Sequence, residues 1–244
     1  MNARPLLLVV PAFNPGPEFE QFLPDLAGQL KASGHPHRIL VVDDGSGAEP
    51  RARIQKTVAR AATPSGSVEL RVLPRNEGKG AAIMAGWAEA DPAVAWLGFV
   101  DADGSVPARE VVRVLAEARC LGDAEVCLAG SRLRILGRSI ERKWHRHLVG
   151  RVFSNLTNLI LGLGAYDTQC GFKLVPRVAY ERVRPRLGER RFSFDVELLV
   201  LLLGSGCAVR EVPIDWADRG HSTVRLWRDI PAMAAGLWRT RRHL

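Results

Sequence analysis

The architecture of this chain follows from one segment, Phe99-Val100-Asp101-Ala102-Asp103-Gly104-Ser105. The apolar run over 94–100 that leads into it predicts a buried strand. Asp101 and Asp103 follow where that strand ends, and their spacing of two starts both side chains on one side of the backbone. A carboxylate pair of this kind suits Mg²⁺ or Mn²⁺, whose remaining ligands a diphosphate can supply. A polar turn after a buried strand is the alternative.

Outward from this segment, apolar runs alternate with helical patterns. Strands are predicted over 6–10, 38–42, 68–73, 94–100, 124–129 and 209–214. Helices are predicted over 18–32, 50–62, 81–90, 108–121 and in a segment that ends at 203. This alternation predicts an α/β fold with a mostly parallel sheet covered by helices on both faces.

Polar residues follow four of the predicted strands in succession. They are Asn14, the pair Asp43 and Asp44, Lys79, and the pair Asp101 and Asp103. The carboxyl ends of parallel strands share one sheet edge, which is where ligands bind in open α/β sheets, so these residues predict a nucleotide crevice. A simple turn is the alternative for the first aspartate pair. The segment 78–80 lacks the spacing of a Walker-type phosphate loop. No Gly-x-Gly-x-x-Gly follows the first strand, which argues against a dinucleotide dehydrogenase.

Composition narrows the classes of partner. The 244 residues carry a formal net charge of +8, which favours an anionic partner such as a phosphorylated substrate or an anionic membrane surface. The basic residues do not alternate with aromatic residues along a recognisable module, so no nucleic-acid partner is expected. The four cysteines are scattered and form no Cys-x-x-Cys pair, which predicts neither a zinc site nor a disulfide framework and favours a reducing compartment.

The second half of the chain combines basic and apolar patterns. Arginines cluster over 132–151, apolar residues recur at helical spacing over 149–163, and an arginine- and tryptophan-containing amphipathic helix is predicted over 222–244. Such a helix suits an anionic membrane surface, although docking on the protein's own core is the alternative. No run reaches the roughly 18 apolar residues of a membrane span. We therefore expect a cytoplasmic protein attached peripherally to the inner face of the cell membrane.

The order of the motifs resembles glycosyltransferase family 2, and more closely its dolichyl-phosphate β-glucosyltransferase and polyprenyl-phosphate sugar synthase branch. The motifs of the nucleotide-sugar half are 11–14, 43–46, 76–80 and 101–103, and those of the acceptor half are 130–132, 167–173 and 194–199. The resemblance implies a single glycosyltransferase-A domain, with the donor half over 1–130, the acceptor half over 131–221 and the basic helix after it. It also implies a nucleoside diphosphate sugar donor and inversion at the anomeric carbon.

The resemblance also assigns residues. Donor-binding residues are expected at Pro11, Ala12, Asn14, Asp43, Asp44, Asn76, Lys79, Asp101, Ala102 and Asp103, with Asp43 on the nucleoside and the two last-named aspartates on the metal and diphosphate. Acceptor-binding residues are expected at Arg132, Arg151, Asp167, Gln169, Cys170 and Lys173. The predicted catalytic residues are Asp101, Asp103, Arg132 and Asp195.

The chemistry of the acceptor separates two mechanisms. A lipid phosphate is already ionised near neutral pH, because its second pKa is about 6, and needs arginines such as Arg132 and Arg151 to position it. A sugar hydroxyl would need a carboxylate base, for which Asp167, Asp195 and Glu197 are available. We favour a polyprenyl phosphate acceptor. The alternatives are a transferase with a hydroxyl acceptor and a nucleotide-sugar-binding protein without turnover.

The segment Gly104-Ser105 looks more like the glucosyl than the mannosyl members of the branch. The favoured donor is therefore UDP-glucose, with GDP-mannose as the alternative. The arginine- and alanine-rich composition favours a bacterial source, and hence undecaprenyl rather than dolichyl phosphate as the acceptor.

Overall fold

A computed structural model describes residues 4–62, 68–133, 135–141, 166–191 and 193–219. The strands in these residues are β1 (Leu6–Ala12), β2 (His37–Asp43), β3 (Val68–Val72), β4 (Trp96–Val100), β5 (Val126–Ser131), β6 (Ile140–Glu141), β7 (Phe172–Pro176), β8 (Ala208–Pro213) and β9 (Trp216–Ala217). The helices are α1 (Phe19–Ala32), α2 (Ala48–Ala61), α3 (Lys79–Trp87), α4 (Ala108–Cys120), α5 (Arg177–Val183) and α6 (Phe194–Gly204), and a 3₁₀ turn covers Arg184–Arg186.

Seven of these strands form one mixed sheet in the order β3-β2-β1-β4-β7-β5-β8. The pairs β1–β2, β2–β3, β1–β4 and β5–β8 are parallel, whereas β7 runs antiparallel to both β4 and β5. Strands β6 and β9 form a separate parallel pair. The prediction of a mostly parallel sheet is therefore confirmed.

Helices cover both faces of the sheet, which explains why its strands are continuously apolar rather than alternating. Along β1, Leu6, Leu8 and Val10 pack in a core that contains residues of α1, α2 and α4. Leu7 and Val9 point to the opposite core, which contains residues of α3, α5 and α6. The sheet is thus the middle of three layers. Because helices cover both of its faces, a ligand would have to approach at the ends of the strands.

The sequence patterns do not predict β7 and α5. Strand β7 reads Phe-Lys-Leu-Val-Pro, and the lysine at its second position interrupts the apolar run that would mark a buried strand. Helix α3 begins at Lys79, two residues before the predicted start, because the turn at Gly78 (φ 107°) feeds directly into it. The predicted apolar helix over 149–163 and the C-terminal helix over 222–244 lie outside the described residues.

All four cysteines are free thiols, as the sequence predicts. Within the described segments, every helix is too short or too polar to cross a membrane.

Candidate active site

The loops after β1 and β2 are tied to each other at the carboxyl edge of the sheet. The backbone N–H of Asn14 donates to Ser46 Oγ (2.8 Å), and Asn14 Oδ1 accepts the N–H of Gly47 (3.0 Å). Asp43 accepts the N–H of Ser46 (2.9 Å) and the Nε–H of Arg51 (3.1 Å). The predicted donor-binding residues Asn14 and Asp43 thus contribute hydrogen bonds that fix the shape of this edge.

Asp44 organises the loop that leads to α3. Its carboxylate is buried and accepts the backbone N–H groups of Glu77 (2.7 Å) and Gly78 (2.8 Å). Burial raises the pKa of Asp44, although these two hydrogen bonds oppose the shift. Asn76 lies half-buried in the same loop. Asp44 therefore fixes the start of α3 and with it the position of Lys79, the first residue of that helix.

Four charged side chains alternate in sign across the site and form what we call the lysine–carboxylate row: Asp101, Lys79, Asp195 and Lys173. Lys79 Nζ lies 2.8 Å from Asp101 Oδ1 and 3.2 Å from Asp195 Oδ2. Lys173 Nζ lies 2.8 Å from Asp195 Oδ1 and donates to the Cys170 carbonyl (2.9 Å). The row joins the end of β4, the start of α3, the start of α6 and strand β7.

The two lysines of the row lie against the ring of Phe99 in the protein interior. Lys173 is fully buried, and Asp195 is 2% exposed. The two ammonium nitrogens lie 5.1 Å (Lys79) and 5.3 Å (Lys173) from the centre of the Phe99 ring, close enough for cation–π attraction. Burial alone would raise the pKa of Asp195, but the attraction of Lys173 and Lys79 outweighs it and lowers that pKa. Asp195 is therefore ionised between these two lysines.

The pKa of Lys79 shifts in the direction that agrees with this charge state. Burial disfavours the ammonium, yet the attraction of Asp101 and then of Asp195 raises the pKa above its usual value.

Asp101 and Asp103 lie at the end of the row that is open to solvent. The N–H of Asp101 donates to the Gly171 carbonyl (2.8 Å), and Asp103 Oδ1 accepts the N–H of Ser105 (2.9 Å). Burial raises the pKa of Asp101, Lys79 opposes this shift, and the charge of Asp103 adds to it. The pair thus retains an excess of negative charge that a further cation would relieve. Two carboxylates are a set that Mg²⁺ or Mn²⁺ accepts when a diphosphate completes the coordination.

Over the described ranges, no group of three or more His, Cys, Asp or Glu side chains converges on one point.

Gly171 is a functional position that the sequence patterns do not single out. A Cβ at this residue would lie 1.9 Å from Asp101 Oδ2, so only glycine leaves room for the carboxylate. Phe99 is likewise not predicted as a site residue, because nothing in the sequence of a buried strand indicates that its phenylalanine contacts two lysines. A glycine between Cys170 and Phe172, ahead of a run of apolar residues, is the one signal available for this close approach.

Arg132 lies in a second ion pair. Its Nε and terminal nitrogen donate to the two carboxylate oxygens of Asp167 (2.7 and 2.6 Å), and its backbone N–H donates to the same group (2.8 Å). The guanidinium carbon lies 5.6 Å from the centre of the Trp216 ring. Glu211 accepts the N–H groups of Tyr166 (2.8 Å) and Asp167 (2.7 Å), which anchors the segment that holds the carboxylate. Burial opposes ionisation of Arg132, but Asp167 outweighs it and raises the pKa.

The remaining predicted site residues are distributed around these two centres. Pro11 and Ala12 end β1, Ala102 lies between the two aspartates after β4, and Gln169 is half-buried beside Cys170. Burial raises the pKa of the Cys170 thiol to about 12, so it is not a nucleophilic thiolate at neutral pH. Arg151 lies outside the described residues.

With this geometry in place, comparison with known families gives a class. Residues 7–184 match the family model for glycosyl transferase family 2. The chain therefore belongs to glycosyl transferase family 2, as its motifs predict.

Three of its relatives carry the same enzyme name. A dolichyl-phosphate beta-glucosyltransferase of Trichomonas vaginalis is 31% identical over 226 residues, which cover 89% of this chain and 65% of the relative. The enzyme of the same name from Dictyostelium discoideum is 26% identical (96% of this chain, 76% of the relative), and that of Mus musculus is 29% identical (92% and 71%). The predicted resemblance to this branch is confirmed. The chain spans only about two thirds of the length of the first of these relatives.

Solved structures support the fold. Glucosyl-3-phosphoglycerate synthase from Mycobacterium tuberculosis, in complex with Mg²⁺ and UDP, superposes with a TM-score of 0.70 at 15% identity, over 97% of this chain and 78% of the synthase. A mannosyltransferase from Pyrobaculum calidifontis, in complex with GDP-Man and Mn²⁺, gives 0.63 at 15% identity, over 100% of this chain and 65% of that protein. The expected glycosyltransferase-A fold is confirmed.

Proposed function

We propose that this protein transfers a hexose, most specifically glucose, from a nucleoside diphosphate sugar to polyprenyl phosphate, with inversion at the anomeric carbon. Two kinds of support combine. Three relatives of the chain are dolichyl-phosphate beta-glucosyltransferases. The observation that carries the choice of acceptor is that all three carboxylates considered as a general base for a hydroxyl acceptor are already engaged.

Each of the three carboxylates already accepts hydrogen bonds or ion pairs from neighbouring groups. Asp195 is buried between two ammonium groups, and its pKa is lowered. Asp167 accepts two hydrogen bonds from the side chain of Arg132. Glu197 accepts the N–H groups of residues 188 and 189 (3.0 and 2.8 Å). A general base must offer a free lone pair to the proton of the substrate, and the partners of these three carboxylates compete for that lone pair.

A phosphate acceptor removes the need for such a base. Its oxygen is already anionic and attacks the anomeric carbon, while the bond from that carbon to the diphosphate oxygen breaks and the nucleoside diphosphate leaves with the bonding electrons. No proton is transferred in this step. What the site must supply is orientation and the neutralisation of charge on two anionic reactants.

On the donor side, Asp101 and Asp103 would hold Mg²⁺ or Mn²⁺. A bound divalent ion stabilises the negative charge that develops on the leaving diphosphate. Lys79 begins α3 beside Asp101 and is, among the cations of the described residues, the one proposed to contact the donor phosphates. Asp43, Asp44 and Asn14 act through the loops whose shape they fix. The excess negative charge of the aspartate pair supports this assignment, and UDP-glucose remains the favoured donor.

On the acceptor side, Arg132 is the proposed contact for the lipid phosphate. Asp167 and the Trp216 ring hold its guanidinium in one orientation, which lowers the entropy lost when an anion binds. Arg151 is the second proposed contact for this phosphate. The basic segment over 222–244, for which the sequence predicts an amphipathic helix, is proposed to face an anionic membrane surface, with the protein at the cytoplasmic face of the membrane. The net charge of +8 supports this part of the proposal.

The test offers labelled UDP-glucose and GDP-mannose separately, with Mg²⁺ or Mn²⁺ and detergent-dispersed undecaprenyl phosphate, and follows label into the organic phase. We expect transfer from UDP-glucose that is abolished by chelation and by Asp103→Ala. The exposed change Asp25→Asn is the matched control and should leave transfer intact.

Other outcomes separate the alternatives. Release of UDP while the label stays aqueous would favour a hydroxyl acceptor. Nucleotide binding without turnover on any donor would contradict the assignment as an enzyme.

A further inference from the structure

The lysine–carboxylate row presents an unusual feature at its outer end. Lys79 donates to Asp101 Oδ1, the carboxylate proposed to hold the divalent ion, at 2.8 Å. The ammonium group therefore already neutralises this ligand. A lysine whose only role was to contact donor phosphates would not need to pair with the proposed metal ligand.

The inner end of the row explains why Lys79 can leave Asp101 without losing its charge partner. Asp195 Oδ2 lies 3.2 Å from Lys79 Nζ, and the Asp195 side chain is only 3% exposed. Asp195 is itself held by the fully buried Lys173, which also donates to the Cys170 carbonyl. Asp195 is thus a fixed anchor, and Lys79 has one deep contact and one contact at the solvent-accessible end.

We propose that Lys79 is an internal counter-cation for Asp101 that opposes divalent-ion binding until a nucleoside diphosphate draws its ammonium group away. This inference rests on the proposed role of Asp101 and Asp103 as metal ligands. In the nucleotide-free protein, Lys79 and the metal ion compete for Asp101. When a diphosphate is present, the ammonium group has an anionic partner outside the row and keeps Asp195 as its tether.

The consequence is coupling between nucleotide and metal. By thermodynamic linkage, a nucleotide that draws Lys79 from Asp101 increases the affinity for the ion, and the ion increases the affinity for the nucleotide by the same factor. Such coupling keeps the site from being filled by metal alone, and it assembles metal and donor together.

The experiment measures Mn²⁺ affinity by the electron paramagnetic resonance signal of the free ion, with and without UDP. Lys79→Met removes the competing charge at nearly constant length. We expect it to tighten Mn²⁺ binding without UDP by about tenfold or more, since a unit charge in contact with the ligand is removed. We also expect UDP to enhance Mn²⁺ affinity less in this variant than in the wild type.

Two further variants isolate the cause. Lys79→Arg keeps the charge and should bind Mn²⁺ as weakly as the wild type without UDP. Lys31→Met removes the same charge from the exposed end of α1 and should change nothing. If Lys79→Met does not fold, as judged by circular dichroism, Lys79→Gln replaces it, because its amide can still hydrogen-bond to both aspartates.

The outcomes distinguish this inference from the proposed function. Equal Mn²⁺ affinity in the neutral Lys79 variant and the wild type, without UDP, would overturn the counter-cation role. Asp103→Ala tests the metal site itself. If that variant retains wild-type Mn²⁺ affinity in the presence of UDP, the assignment of the metal ligands fails, whatever Lys79 does.

Discussion

Asp44 and Asp195 are buried to nearly the same extent, 3% and 2% exposed, yet the protein neutralises them differently. Asp44 accepts two backbone N–H groups, and its pKa is raised by burial. Asp195 lies between two ammonium groups, and its pKa is lowered. At the carboxyl edge of the sheet a buried carboxylate therefore fixes a loop, whereas in the interior a buried carboxylate holds two lysines. Cations held in place in this way suit a reaction between two anionic reactants.

The largest effect is expected when the cation-paired carboxylate is neutralised. Asp195→Asn leaves the fully buried Lys173 without a counter-charge, and breaking a buried pair on one side costs about 3–5 kcal/mol of the free energy of unfolding. Asp44→Asn loses one acceptor for a backbone N–H and should cost about 1–3 kcal/mol. Urea unfolding of both variants measures the difference, with Asp25→Asn as the exposed control. Equal losses in the two buried variants would show that the two modes of neutralisation are energetically equivalent.

A substitution at Gly171 should displace the Asp101 carboxylate and lower activity while it leaves the fold largely intact. Gly171→Ala places a methyl group where Asp101 Oδ2 now lies, and the carboxylate can rotate away because it is the end of a side chain. We expect about a hundredfold loss of transfer with only a modest loss of stability, since small displacements at reacting groups have large effects on rate.

Gly28→Ala is the matched control for this substitution. Its new methyl group in α1 meets nothing within 4 Å, so this variant should be fully active and slightly more stable. Full activity of Gly171→Ala would show that the orientation of Asp101 is unimportant.

The free energy of unfolding should depend on pH in opposite directions for the contributions of Asp195 and Asp44. The folded-state pKa of Asp195 lies below its usual value of 3.8, so its charge stabilises the fold above that pH. This contribution disappears as the pH falls through the lower folded-state pKa. The stability gap between wild type and Asp195→Asn should therefore shrink in acid, as urea unfolding down to about pH 3 would measure.

Asp44 should show the opposite slope. Its folded-state pKa is raised, so its contribution is fully present below 3.8 and declines as the pH rises through the folded-state value. A stability gap between wild type and Asp44→Asn that follows the same pH trend as that of Asp195→Asn would contradict the raised pKa of Asp44.

The smallest loss of stability is expected at Asp43, which accepts both a backbone N–H and an ion pair. It accepts the N–H of Ser46 and pairs with Arg51, whose side chain is 36% exposed. Asp43 is fully buried, but Arg51 is partly exposed and the N–H of Ser46 still donates to Asp43 without it, so Arg51→Leu should cost about 1 kcal/mol in thermal unfolding. Its effect should also weaken with added salt. A loss as large as that of Asp195→Asn would place Asp43 among the carboxylates whose cation partner is essential.

Several features of the molecule are accessible from sequence because their causes are local. A buried apolar run followed by carboxylates and a glycine predicts β4 and the position of Asp101 and Asp103. Amphipathic periodicity predicts α1 and α4 to within a residue or two. Strand β7 is not accessible in this way, because its buried lysine conflicts with the pattern of a core strand and is tolerated only beside Asp195.

The sequence by itself determined the fold class, the sheet edge at which the polar residues gather and the residue types at that edge, because these depend on periodicity and on chain order. Only the tertiary structure decided which charged groups form ion pairs or hydrogen bonds with each other. Lys79 pairs with an aspartate 22 residues away and with another far along the chain, Arg132 pairs with Asp167, and Asp44 pairs with backbone. Ion pairs between distant residues depend on how strands and helices pack, and no spacing along the chain encodes that packing.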